Sequence, residues 1–183
     1  MSATAWLLSA LAALFAAGVW IYNRLVADRN LAREGYADID VQLKRRADLV
    51  PLLVETVRGY AAYEKATFTA VTELRASAAG FGPGPGEARF GAERELGAKL
   101  KVLLLLQENY PQLKADANFR DLSAKLVATE DQLQYARRFY NGAVNQYRNC
   151  LESFPHVIVA RAFRFEALPF FETEERDAVQ VAL

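Results

Sequence analysis

The chain has 183 residues, about half of them apolar, which is enough for one compact domain with appendages. Its 22 lysines and arginines balance its 22 aspartates and glutamates, so no whole-protein field directs it to nucleic acid. One cysteine, Cys150, excludes an internal disulfide and suits a reducing compartment, and with a single histidine, His156, the common zinc sites are excluded as well.

Residues 1–23 contain no charged side chain, and residues 5–21 are dominated by leucine and alanine. About 19 residues, 5–23, at roughly 1.5 Å each reach about 28 Å, close to a hydrocarbon core of about 30 Å. This predicts one membrane-spanning helix, with Leu11 and Leu14 in its apolar body and Trp6, Trp20 and Tyr22 placed as interfacial anchors. A cleaved signal peptide would open with basic residues, and none precedes Arg24. Arg24, Arg29 and Arg33 follow the span, with Asp28 the sole opposing charge before Glu34. They are expected to contact lipid headgroups and, by the positive-inside rule, to hold the body in the cytoplasm and the short amino terminus outside the cell membrane.

The helical register continues beyond the span. Tyr22, Leu25, Arg29, Ala32, Tyr36, Ile39, Leu43, Arg46 and Val50 alternate spacings of three and four, one face of a long helix, and only the two arginines are not apolar or aromatic. Pro51, with Asp48 before it, predicts a bend or short turn near 47–50. Leu53, Val57, Tyr60, Phe68, Val71 and Leu74 mark the next segment, which ends in the glycine-proline run at 80–86. That run lacks the spacing and the Lys-Ser/Thr of a phosphate-binding loop.

A third helix is expected over 87–109, with Phe90, Leu96, Leu100, Leu103 and Leu104 on its apolar side and Pro111 after it. Asp116 and Asn118 offer caps for a fourth, striped by Phe119, Leu122, Leu126, Thr129, Leu133, Ala136, Tyr140, Ala143 and Tyr147. Phe154 and Pro155 end it, and the apolar run 157–165 predicts one or two helical turns against the other helices or the bilayer surface. The fold expected is all-α: a transmembrane anchor at 1–23, a long antiparallel four-helix bundle within 24–167, and a flexible acidic tail at 168–183. Val179 and Val181 in that tail alternate with neighbours as a strand added to a partner's sheet edge would, although a frayed terminus fits as well.

Two blocks carry a family resemblance. Asp38-Ile39-Asp40-Val41-Gln42-Leu43-Lys44-Arg45-Arg46, with Asp48-Leu49-Val50-Pro51 and Gly59-Tyr60-Ala61 after it, resembles the central signature of the LemA family. Arg137-Arg138-Phe139-Tyr140-Asn141, Ala143-Val144, Tyr147 and Glu152-Ser153-Phe154-Pro155 resemble its second block. The resemblance implies the same anchored bundle. It also implies links to membrane-protein quality control, including an HtpX-like zinc membrane protease, and to the organisation of internal membranes.

Candidate chemistry is sparse. Asp38 and Asp40 lie two apart on a helix, so they point about 200° from each other and do not close on one ion. His156 has no nucleophile near it in sequence and stands where the LemA family usually has a small polar residue. Lys44, Arg45 and Arg46 lie about 32 Å beyond the span if the helix is straight, too far for a headgroup patch when surface potential decays over about 8 Å. Arg46 falls on the inward stripe and needs a carboxylate such as Glu130, Asp131 or Glu55. Arg137, Arg138 and Asn141 sit among aromatics in the fourth helix, and balanced charge favours core cross-links over nucleic-acid binding.

No catalytic residue, cofactor or metal ligand is assigned. The expected bundle and assembly residues are Tyr36, Ile39, Leu43, Arg46, Arg137, Tyr140, Asn141 and Tyr147. The function expected is a non-enzymatic scaffold or adaptor that forms homo-oligomers, contacts membrane lipid and organises other membrane proteins. The alternatives are a regulatory subunit or signal-transmitting membrane protein, or an enzyme using Asp38, Asp40, Arg137 and His156.

Overall fold

The computed structural model describes residues 3–61, 64–82 and 84–171, and every regular element among them is helical. The elements are α1 (Ala3–Arg58), α2 (Lys65–Ala79), α3 (Glu87–Leu105) with a 3-10 turn at Leu106–Glu108, α4 (Pro111–Ala115), α5 (Ala117–Glu152) and α6 (His156–Ala162). At 56 residues, α1 is about 84 Å long. In its amino-terminal turns Trp6, Leu7, Leu8, Leu11, Leu14 and Phe15 point to all sides and are all exposed among the described residues. Leucines exposed around a whole helix match a lipid environment by length and composition. From Ile21 onward one stripe of α1 is buried.

That stripe contains Leu25, Ala32, Tyr36, Ile39, Leu43, Arg46 and Val50 as the spacing predicts, and a slight drift of register adds Asp28 and Gly35. The expected short turn at 47–50 is absent, since α1 stays helical through Pro51 to Arg58. Proline has no N–H to give to the carbonyl of Ala47, one turn back. Arg75 of α2 supplies the missing donor, its Nε lying 2.8 Å from Ala47 O. A side chain from the next helix thereby satisfies the break.

Partner positions on α5 fall as those on α1 rise. Gln146 donates to Asp28 at 2.7 Å, Tyr140 passes Gly35, Glu130 meets Arg46, and Asp116 accepts from Tyr60 at 2.9 Å. The two long helices are therefore antiparallel. Their closest passage depends on Gly35, where an added Cβ would come 2.9 Å from Phe139 Cδ1 and 3.1 Å from the Tyr140 backbone. On α3, Arg89 pairs with Asp40 and Glu93 with Arg46, so α3 runs parallel to α1. Arg58 stacks over Phe68 while Arg75 reaches Ala47, so α2 runs antiparallel to α1.

Three apolar clusters are strung along α1. The one farthest from the exposed segment joins Val50, Leu53 and Val57 to Phe68, Leu100 and Phe119. A central cluster joins Tyr36, Ile39 and Leu43 to Phe90, Tyr140 and Phe171, and a third joins Ile21 and Leu25 to Tyr147 and Ala160. Each fully buried leucine or isoleucine contributes about 1.5–3 kcal/mol by leaving water. The start of α5 is capped as its sequence predicts, because Asp116 accepts from the Phe119 N–H at 2.8 Å.

Beyond α5 the chain turns at Pro155 into α6, which lays Ala160 against Ile21, Leu25 and Tyr147. Arg164 closes the turn with φ of 54°, and the Phe165 N–H bonds to Ala160 O at 2.9 Å. The chain then returns along α5. Residues 168–171, grouped in the sequence reading with the tail, are docked here: Arg148 donates to Leu168 O at 2.9 Å, Tyr140 to Pro169 O at 2.7 Å, and Phe171 is fully buried. Aromatic side chains and fixed donors on α5 outweigh the acidic composition that follows. Val179 and Val181 lie outside the described residues.

Candidate functional site

Arg46 is the largest fully buried side chain of the described residues and joins three helices. The helical register aims it inward from α1. Its Nη2 pairs with the Glu93 carboxylate and donates to Glu93 O at 2.8 Å, while Nη1 donates to Glu130 Oε1 at 2.9 Å. Gly97, one turn beyond Glu93, leaves the space: an added Cβ would stand 3.1 Å from Arg46 Nη1. Of the three carboxylates proposed from sequence for Arg46, Glu130 is a partner. Glu93 was missed, although it lies three residues after Phe90 and three before Leu96, on the apolar stripe of α3.

Arg137 of α5 adds a second buried cation. Burial first, and then the charge of Arg46, pull its pKa down to about 10, with Glu130 and Glu93 acting in the opposite sense. Its guanidinium lies 4.3 Å from the Phe171 ring centroid. Two cations and two carboxylates thus interleave between α1, α3 and α5. Such pairs add little net stability after desolvation, but breaking one leaves a buried charge alone. They fix which turn of each helix faces which. The same residues floor a groove of about 860 Å³ between α3 and α5, rimmed by Arg94, Lys101, Val127, Asp131 and Arg138.

Below this layer, Tyr36 donates to Gly84 O at 2.6 Å and accepts from Arg89 Nη1 at 2.6 Å. Arg89 also pairs with Asp40, which ties the loop before α3 to α1. Burial raises the Tyr36 pKa, opposed by the charge of Arg89. Phe90, Tyr140 and Phe171 close the cluster, with Phe90 and Phe171 centroids 4.2 Å apart. Tyr140 is pushed up strongly by burial. Ile39 and Leu43 are buried in the same layer, and Asn141 binds the Phe171 backbone.

Toward the exposed segment, Arg24 pairs with Asp28 at 3.2 Å, and Asp28 also accepts from Gln146. Burial, and secondarily Asp28, raise the thiol of Cys150. Arg29 lies 5.1 Å above the Phe165 ring, Arg33 is exposed, and Tyr147 is fully buried. Tyr22 is half-buried, edge-on to Phe163 at 4.9 Å and Phe165 at 5.5 Å. Trp6, Leu11, Leu14 and Trp20 are exposed.

The residues considered for enzymatic chemistry do not converge. Asp40 is held by Arg89, and Asp38 is exposed. His156 sits 6.0 Å from the Trp20 ring and 3.3 Å from Ser153 Oγ, at the level of a residue about 27 Å along α1 from Asp38. Among the described residues no three His, Cys, Asp or Glu side chains gather as a metal site requires. The arrangement is suited to fixing helices and presenting surfaces.

Comparison with known proteins agrees with this picture. The pattern described as the LemA family matches residues 35–183. Magnetosome protein MamQ of Magnetospirillum gryphiswaldense is similar, 22% identical over 174 residues covering 82% of this chain and 64% of the relative. Magnetosome protein MamQ 2 of Paramagnetospirillum magneticum is likewise 22% identical, over 175 residues. The chain thus spans just under two thirds of the length of these magnetosome relatives. Protein LemA of Metamycoplasma hominis is 24% identical over 162 residues, covering 87% of this chain and 72% of the relative. LemA-family proteins are not known as catalytic enzymes. With both sequence blocks inside a match that takes in most of its length, the chain belongs to the LemA family.

Proposed function

We propose that the protein is a membrane-anchored scaffold or adaptor that assembles with copies of itself and organises other membrane proteins. The observation that carries this reading is the continuity of α1: one unbroken helix bears an exposed apolar segment and then, without a joint, the buried stripe around Arg46. Such a helix transmits position from the bilayer to the body rigidly. In this reading residues 1–23 are the anchor, with Trp6, Leu11, Leu14, Trp20 and Tyr22 in or at the edge of the lipid. Arg24, Arg29 and Arg33 hold the body on the cytoplasmic side. Helices α1, α2, α3 and α5 form an antiparallel four-helix bundle.

Self-assembly would use the surface of α5, where Val127, at the charged groove, and Tyr135 and Phe139, elsewhere on the helix, are exposed. Tyr36, Ile39, Leu43, Arg46, Arg137, Tyr140, Asn141 and Tyr147 keep that surface in register. An HtpX-like protease is one membrane partner consistent with the family resemblance, and we infer from sequence alone that the segment with Val179 and Val181 is a second partner contact. The test is site-directed crosslinking in intact membranes from Phe139→Cys and Val127→Cys. Crosslinks to a second copy or to a membrane neighbour are expected, and monomer with no adduct at either position would contradict the proposal.

A further inference from the structure

We propose that the end of α5, α6 and the turn after it form a second membrane-contact surface, resting on the lipid headgroup layer beside the α1 span. The inference builds on the reading of α1 as an anchor, and goes beyond it by giving the body its own lipid contact. Phe154, Ile158 and Phe163 are 81%, 59% and 63% exposed within one short stretch. Single exposed apolar residues are ordinary, but three large ones close together in sequence require a cover.

Their level identifies the cover. His156 lies against Trp20, Phe163 and Phe165 against Tyr22, and Ala160 against Ile21 and Leu25. Helix α5 runs toward the anchor, since Gln146 already stands opposite Asp28 and seven more residues precede Phe154. All three exposed side chains therefore sit level with the last turn of the apolar segment, where lipid acyl chains meet headgroups. Arg24, Arg161 and Arg164 are exposed at the same level, opposed by exposed Glu152 and Glu166. Arg24 is paired with Asp28, so the border carries charges of both signs, and apolar side chains with such a border suit the amphipathic headgroup layer. Arg161 and Arg164 thus stand nearer the bilayer than Arg33, which lies about 15 Å beyond the end of the span, against a screening length of about 8 Å.

The experiment uses the full-length chain in nanodiscs of phosphatidylcholine and phosphatidylglycerol carrying brominated acyl chains. An environment-sensitive fluorophore is attached, in a Cys150→Ser background, at Ile158→Cys or Phe163→Cys. Leu11→Cys serves as the anchor reference and Leu105→Cys as an exposed reference far from the membrane. Quenching by bromine at 158 and 163, weaker than at 11 and clearly above that at 105, is expected. Quenching at 11 with none at 158 and 163 overturns this inference and leaves the anchor standing, whereas no quenching at 11 overturns both. A label at 158 or 163 shielded from water yet unquenched identifies a protein cover and also overturns it. Hydroxyl-radical footprinting of the unsubstituted chain repeats the test without engineered cysteines. Phe154 and Phe163 should be protected in nanodiscs while Leu105 remains reactive, and equal reactivity contradicts the proposal.

Discussion

Asn141 holds Phe171 by both polar groups of its backbone: the amide Nδ2 donates to Phe171 O at 2.9 Å, and the Phe171 N–H donates to Asn141 Oδ1 at 2.8 Å. One primary amide thus imitates the pairing of an antiparallel strand and fastens the returning chain to α5, with the Phe171 ring between Phe90 and Arg137. Asn141→Ala removes both bonds and is expected to cost about 1–3 kcal/mol. Hydrogen exchange at residues 168–171 should rise before any global change, and unaltered exchange there would contradict the role.

Arg46 offers a sharper test of the charge network. Arg46→Met leaves Glu93 buried without its cation and is expected to lower stability by about 3–5 kcal/mol in denaturant melts. Glu93→Leu combined with Arg46→Met should recover much of that loss, because two apolar side chains need no desolvation repayment. Failure of the double variant to recover would mean that the guanidinium's bond to Glu93 O, rather than the charge pair, carries the effect.

Two glycines on facing long helices should respond oppositely. Gly35→Ala pushes a methyl toward the Tyr140 backbone and should destabilise by about 1–3 kcal/mol despite a better helix propensity. Gly142→Ala, exposed on α5 with nothing within 4 Å of its Cβ position, should stabilise by about 0.5–1 kcal/mol. Thermal melts of the two variants check the sign, and a common sign for both would contradict the close passage at Gly35.

The two long stripes were legible in the sequence because a heptad pattern over many turns has few other solutions, and Leu25 to Val50 and Phe119 to Tyr147 packed accordingly. What escaped were features decided by a neighbour. Pro51 reads locally as a break, and the Arg75 side chain, arriving from another helix, supplies the donor that the Ala47 carbonyl lacks there. Glu93 reads as solvated until Arg46 is opposite, although its place on the stripe of α3 was a usable signal. Nothing local to residues 168–171 points to Asn141 and Arg137 as their dock.

The cap of α5 gives a pH dependence. The Phe119 N–H first, and the Tyr60 hydroxyl second, hold the Asp116 carboxyl below its ordinary value. A depressed carboxylate pKa contributes stability that is present above the unfolded value, about 3.9, and is lost as pH falls through the folded value. Asp116→Ala should therefore lower the melting temperature at neutral pH, with the gap to the parent chain narrowing below about pH 4. A gap that stays constant into the acid range would contradict the assignment.

Assembly is the property on which the proposed scaffold role rests. Gentle extraction of the full-length chain from its native membrane, followed by mass photometry and identification of co-purifying chains, tests it most directly. A homogeneous particle heavier than one chain, containing several copies or a membrane-protein neighbour, is expected. A clean monomer with nothing attached would contradict it and turn attention to ligands or signals that act on α1 itself.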